Sequence, residues 1–343
     1  MPGGFPMYVP GMALIPPPSE DRGNYDERST VRTRRLILLS ALPVMLAVLS
    51  IAAPANAITN GQPDAGAHPY VGELLFFIPD EPDPRFDDPG AWFSCSGTLL
   101  NDHIVLTAGH CTYATGNNGA STTVGGGSGT GGNDVWISFA DAPDFSILPP
   151  SSTYARDENG QRYQDWSNAL NASSQWHHAA AFPHDQFDPN AFYLHDAGVL
   201  VLSEPAPMTG YGALPDSNFL DQFQNRRHGQ DFTVVGYGLN KVLPKVDFGG
   251  DVRFRGTTQL VTLRGAFGLP DGIVARFTNN NGSVHQGGTC FGDSGGPTFF
   301  GTGNIVVAVT SFGISPNCTG TDDEYRIDQP DDLAFLAGFG VTP

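Results

Sequence analysis

Apolar and polar positions along the chain alternate in short runs separated by Gly, Pro and Asn. The first are "HPYVGELLFF" (68–77), "FSCSGTLL" (93–100), "HIVLTAG" (103–109) and "NDVWISF" (133–139). They are followed by "AGVLVL" (197–202), "DFTVVGYG" (231–238), "TTQLVTL" (257–263), "GIVARF" (272–277) and "NIVVAVTSFG" (304–313). Each has the length and the β-branched and aromatic content of a strand. A long series of strands without βαβ alternation predicts an all-β protein, an antiparallel sandwich or barrel, and argues against a doubly wound sheet. The last segment changes period. "QPDDLAFLAGFG" (329–340) sets Asp331 and Asp332 behind Pro330 and then spaces apolar residues as a helix does. It predicts a short C-terminal helix with acids in its first turn.

Two regions break the pattern. Residues 1–35 show little periodicity, and Arg32, Arg34 and Arg35 then precede a 19-residue apolar run (36–54) and Ala55-Asn56-Ala57. Basic flank, apolar segment and small-x-small site together predict a secretory signal peptide cut after Ala57. The leader is long, which suggests a true start near Val31. The apolar run is also long enough for the alternative, an uncleaved anchor over residues 36–53. The expected organisation is a leader over 1–57 and one secreted domain over 58–343, with a long insertion within 112–190. That insertion holds the Gly/Ser tract "GGGSGTGGN" (125–133) and a polar stretch over 151–190 without clear period, both read as surface excursions of one barrel.

Composition narrows the function. Of 343 residues, 40% are hydrophobic and 15% charged, with 43 Gly and 28 Pro, which describes a loop-rich soluble chain able to bury a sizeable core. Five of the 17 basic and four of the 35 acidic residues fall in 1–57, leaving 12 against 31 and a net charge of −19. Such a chain is repelled by nucleic acid and by anionic lipid. All four cysteines (Cys95, Cys111, Cys290, Cys318) follow the signal, which predicts two disulfides with three connectivities open. No C-x-x-C pair suggests a zinc or redox centre.

The chemistry concentrates in three places. In "CFGDSGGP" (290–297), glycines on both sides of Asp293-Ser294 permit a tight backbone path, and the N–H groups of Gly292 and Ser294 can converge on an oxyanion. A plain Gly-rich turn is the alternative for a bare D-S-G, less so for the whole octapeptide. In "LTAGHC" (106–111), His110 follows a strand and adjoins a half-cystine. In "HDAGVLVL" (195–202), Asp196 opens an apolar strand. The order His, Asp, Ser is one of the known orders of a nucleophilic triad.

With these anchors the sequence resembles the trypsin/chymotrypsin-like serine peptidases. Ile58-Thr-Asn-Gly61, Leu106–Cys111, His195-Asp196, Gly236-Tyr-Gly238, Gly292–Pro297 and Ser311-Phe-Gly313 carry the resemblance, which runs from Ile58 to about Phe339. It implies a double six-stranded antiparallel β-barrel with the active site in the cleft between barrels. It implies Ser294 as nucleophile, His110 as base and then acid, Asp196 as its orienter, and Gly292 and Ser294 amides as the oxyanion hole. It further implies disulfides Cys95–Cys111 and Cys290–Cys318, and backbone from Ser311, Phe312 and Gly313 for an extended substrate. In this family the mature amino group turns inward to pair with the aspartate before the nucleophile, here Ile58 with Asp293. Signal cleavage after Ala57 would then itself activate the enzyme.

Departures from the family pattern set further expectations. Gly109 replaces an alanine, which looks harmless. The His110–Asp196 interval of 86 residues is unusually long. His177, His178 and His184 lie inside it and are read as solvated loop histidines, with no metal and no cofactor expected. At the pocket, Gly288 and Thr289 stand where trypsin has its acid, so a neutral pocket for apolar or small side chains is expected. Asp322 and Asp323 are read as surface-loop acids, with a displaced anion for Arg or Lys as the alternative. The leading expectation is a monomeric secreted endopeptidase acting on protein or peptide substrates. The alternatives are a non-catalytic binding protein on the same fold and a membrane-anchored protease. Asn171, Asn281 and Asn317 match glycan acceptor patterns.

Overall fold

The computed structural model describes residues 13–14, 58–79, 91–116, 134–155, 158–224, 230–243, 246–265, 269–279 and 286–343. The apolar segment 36–54, the cleavage site, the Gly/Ser tract and Asn281 lie outside the described residues.

Two antiparallel barrels account for most of the strands. The first is built from β3 (Val71–Ile78), β4 (Ala91–Leu99), β5 (Ile104–Thr107), β6 (Asp134–Ser138), β7 (Trp176–Pro183) and β8 (Gly198–Leu202). They run in the order β4-β3-β6-β7-β8-β5, and pairing of β5 back onto β4 through Thr98 and Leu106 closes the ring. A two-residue strand, β1 (Ala13–Leu14), pairs with β4. The second barrel comprises β9 (Asp231–Gly236), β12 (Phe254–Thr262), β13 (Val274–Asn279), β14 (Pro297–Phe300), β15 (Val306–Gly313) and β16 (Gly320–Arg326). Its order is β13-β16-β15-β14-β9-β12, closed by β12 on β13, with β2 (Gln62–Pro63) added at β12. A hairpin of β10 (Leu239–Leu243) and β11 (Val246–Gly249) stands apart. Two closed six-stranded barrels and a C-terminal helix are the expected architecture.

The strand "VGELLFFI" is apolar on both faces because both faces are covered. Leu74 and Phe76 point into the barrel core, while Leu75 and Phe77 join an outer cluster. That cluster contains all four tryptophans, Trp92, Trp136, Trp166 and Trp176. Its lid is helix α1 (Asn159–Ala172), which lays Tyr163, Trp166 and Leu170 on the barrel at i, i+3 and i+7. Part of the expected surface excursion is thus a packed helix, and residues 176–183 are a barrel strand. Only three apolar side chains mark the helix's buried face. Its N-cap, Glu158, makes no side-chain cap bond, and its first turn carries no acid, so the usual start signals are missing.

Arg253 joins the barrels. Its side chain is almost fully buried, and it donates to Asp64 (3.0 Å), to the Val71 and Phe139 carbonyls (2.8 and 3.0 Å) and to the Tyr237 hydroxyl (3.0 Å), and it pairs with Asp141. Lysine has three donors in place of this planar fork. Arg253→Lys is expected to forfeit about two of these bonds, roughly 2 kcal/mol. A fall in thermal midpoint is the expected reading, and an unchanged midpoint would count against this joint.

Helix α2 (Pro330–Ala337) closes the chain, with Pro330 at its start and Asp331 and Asp332 in the first turn, as the sequence predicts. Although it follows the second barrel, it docks on the first: Phe339, just beyond it, packs on Phe182 of β7 and Phe335 packs on His184.

Candidate active site

His110 sits in a 3-10 turn, Gly109–Cys111, immediately after β5. A disulfide from Cys111 to Cys95 on β4 anchors that turn. Gly109 has a packing reason here. A Cβ at this position would lie 2.7 Å from the ring of Phe187, so the glycine makes room for an aromatic from the insertion. Asp196 lies two residues before β8 and is fully buried. The His110 backbone N–H donates to its Oδ1 (2.9 Å), and His110 Nδ1 lies 2.9 Å from Oδ2 and 3.1 Å from Oδ1. The His110 Nε2 atom is buried and has no hydrogen-bond partner among the described residues.

A third donor to Asp196 comes from the other barrel. The Ser311 hydroxyl donates to Asp196 Oδ2 at 2.5 Å. Sequence reasoning gave Ser311 only a backbone role, and a lone serine at a strand end carries no signal for this one. Ser311 falls at a register shift between Thr310 and Phe312 in the β15–β16 pairing, and β14 pairs with β15 no further than Val309. One edge of residues 311–313 therefore has no strand partner among the described residues.

Ser294 belongs to the turn before β14. Its carbonyl accepts from Ser96 N–H (2.7 Å), and the Ser96 hydroxyl donates to the Gly292 carbonyl (3.0 Å), which pins the turn to the first barrel. Gly295 has φ +75°, and a Cβ there would meet Thr107 Oγ1 at 2.0 Å and Ala108 N at 2.7 Å. Only glycine allows that approach, which brings the residue after Ser294 against the strand end that leads into His110. Gly292 also takes a positive φ, +97°. His110 and Asp196 are thus in direct contact, and the turn that carries Ser294 is pinned to the first barrel beside the strand end leading into His110.

Asp293 is fully buried. Its Oδ1 accepts from Gly238 N–H and its Oδ2 from Cys290 N–H, both at 2.8 Å. Burial pushes its carboxyl up to about 8, against the pull of those two N–H groups. Ile58 is buried against Val234 and Phe254, and Thr59 pairs with Gly288 (Thr59 N–H to Gly288 carbonyl, 2.9 Å). The expected Ile58–Asp293 ion pair is not among the ion pairs of the described residues; Ile58 is here an internal residue, joined to Ala57.

A small pocket, with an interior volume of about 30 Å³, opens beside Ser294. Thr289, Cys290, Ser311, Phe312, Gly313 and Asp322 are among its walls, and the Cys290–Cys318 disulfide lies along it. Gly288 is not among the lining residues. It packs on Asn279, where a Cβ would come within 2.4 Å of the carboxamide carbon, and pairs with Thr59. The pocket acids also differ from the surface-loop reading. Residues 322–324 form part of β16, so their side chains alternate. Asp322 faces the cavity and accepts from Asn279 Nδ2 (2.8 Å), Thr289 N–H (2.7 Å) and Thr289 Oγ1 (2.9 Å). Asp323 faces the other way and takes a two-pronged bond from Arg276 (3.0 and 2.8 Å). Burial raises Asp322 to about 6, with the bonds from Asn279 and Thr289 pulling it down.

The three histidines of the insertion do not form a group. His178 contacts Asp134 (2.9 Å) and Ser203 (2.9 Å) from β7, its neighbour His177 packs on Phe139, and His184 lies beyond the strand on α2.

Residues 158–328 match the trypsin family. The chain belongs to the trypsin-like serine peptidase family. The matched span contains Asp196 and Ser294 and begins after His110. Among solved structures, HL collagenase aligns with TM-score 0.54 and 17% identity over 83% of this chain and 100% of its own, a likeness of fold. Human heparin binding protein aligns with TM-score 0.49 and 16% identity over 83% of this chain and 100% of its own. Comparison with curated proteins found no match.

Proposed function

We propose that this trypsin-family protein is a secreted, monomeric serine endopeptidase that becomes active when its signal peptide is removed before Ile58. The observation that carries the reading is the His110–Asp196 pair. Its Nδ1 is held on a buried carboxylate that takes two further donors, and its Nε2 has no partner among the described residues. In this reading Ser294 Oγ attacks the scissile carbonyl and passes its proton to His110 Nε2, which hands it to the leaving amine. The N–H groups of Gly292 and Ser294 hold the oxyanion, residues 311–313 hold the peptide backbone, and water then releases the acyl group from Ser294. A fluorophosphonate probe with intact mass measurement tests this. The secreted chain is expected to begin at Ile58 and gain one adduct on Ser294. A chain that begins at Ile58 and takes none would overturn the catalytic reading in favour of a binding role.

For the substrate side chain at the cut, the buried Asp322 in the cavity favours Arg or Lys. Asp322→Asn is expected to lower kcat/KM for an arginyl substrate by about 10–150-fold, the worth of a charge-assisted bond, with little change for a leucyl one. The carboxylate is ionised above its pKa of about 6 and neutral below it. The ratio of arginyl to leucyl kcat/KM is therefore expected to fall as pH drops through about 6. Any titration of the triad is common to both substrates and cancels in the ratio. A flat ratio in both experiments would point back to a neutral pocket.

A further inference from the structure

Behind Asp196 the chain assembles a second polar group. His184 follows β7, His195 immediately precedes Asp196, and Asp331 stands in the first turn of α2. One ligand atom from each lies within 4.8 Å of the other two. The His184 and His195 rings are parallel to within 14°, with centroids 4.9 Å apart. His195 Nδ1 is buried, makes no hydrogen bond among the described residues, and lies 3.4 Å from Asp331 Oδ2. Two ligands about 2.1 Å from a tetrahedral ion are separated by about 3.4 Å, so that pair already has the span of a metal edge.

We propose that His184, His195 and Asp331 form a binding site for a divalent transition-metal ion of the zinc class. Two imidazoles and one carboxylate suit zinc, copper or nickel better than calcium or magnesium, which take oxygen ligands. This departs from the expectation of solvated histidines. His184 is buried; its Nε2, 4.0 Å from Asp332 Oδ1, is the ligand atom and must shed the proton it holds while Nδ1 accepts from the Gln186 N–H (3.1 Å). Coordination through Nε2 puts the ring proton on Nδ1, so that bond is given up on binding. Asp331 is 46% exposed and provides both an entry path and the freedom to close the last ångström. Water fills the fourth position, or Asp332, whose Oδ1 is 4.0 Å from His184 Nε2. The ion would tie α2 to His195, the residue before Asp196.

The test is a titration of the secreted protein with Zn2+ by calorimetry and with Co2+ by visible absorbance. One equivalent is expected, with tetrahedral Co2+ bands and a shift of the Gln186 amide resonance. His195→Asn keeps a residue tolerant of the left-handed backbone at this position (φ +53°). It is expected to weaken binding by about 100-fold or more, judged against the 10–100-fold that supporting residues alone command. Asp331→Asn, on the surface, is expected to weaken it at least about 10-fold without altering the thermal midpoint of the metal-free protein. His110→Ala is expected to leave binding intact. No binding, or binding that survives His195→Asn and disappears with His110→Ala, would overturn the proposal.

Discussion

Ser294→Ala and His110→Ala are each expected to lower kcat by about 10⁶-fold, and the double variant to be no worse than either alone. In the proposed mechanism the two groups perform one step: a hydroxyl without a proton acceptor and an acceptor without a hydroxyl are equally idle. Asp196→Asn is expected to cost less, about 10⁴-fold. An amide in that place can still face His110, but it offers one acceptor oxygen where the carboxylate serves three donors: His110 N–H, the His110 ring and the Ser311 hydroxyl. Its NH2 group would oppose one of them and favour the wrong tautomer of the imidazole. Single-turnover kinetics with an activated ester would read all four proteins. Losses that multiply in the double variant, or a mild Ser294→Ala, would mean that these residues do not act as one device.

Asp293→Asn is expected to have opposite effects on two forms of the chain. In the uncleaved form the Asp293 carboxyl is buried with two N–H donors and no ion pair among the described residues, and its pKa is raised to about 8. A carboxyl raised in the folded state weakens that state as pH climbs from its unfolded value towards the folded one. The uncleaved variant is therefore expected to be at least as stable as its parent at neutral pH. In the chain that starts at Ile58, the new ammonium would hold Asp293 ionised. Removing the charge then costs about 3–5 kcal/mol of the ordered oxyanion turn, an activity loss of about 100- to 4,000-fold. The amine titrates near ~7.7–8.0 when free, and the buried pair raises it. Its contribution is thus complete below that range and lost as pH rises through the folded value, so activity is expected to decline on the alkaline side. One extra residue before Ile58 is expected to mimic the variant. Full activity of the cleaved Asp293→Asn protein at neutral pH would refute the pairing.

The strands and the candidate site residues stood out in the sequence for different reasons. A strand such as 231–236 is a short β-branched and aromatic run, and Gly292–Pro297 is a specific Gly-rich pattern around Asp293-Ser294. What was hidden is what depends on a distant partner. β16, "GTDDEYR", does not read as a strand because its acids are buried by Arg276, Asn279 and Thr289, none of them adjacent in sequence. The same blindness misplaced Asp322 on the surface. It also gave Gly288 a pocket role, although Asn279 already fills the space there. Helix α1 was masked by a polar majority around three buried side chains, and the hydroxyl of Ser311 by having its carboxylate 115 residues away.

The bridge between Thr59 and Gly288 also governs timing. The two residues are 229 apart, and synthesis runs from the amino end. The first strand-like contact of the domain therefore waits, unmade, until nearly all the rest of the chain exists. The Ser311 hydroxyl that steadies Asp196 arrives later still. A chain made as far as residue 200 holds His110 and Asp196 but neither Ser294 nor Gly288. On the proposed reading, such a chain could not cut, and the site would be complete only once the last few dozen residues were made.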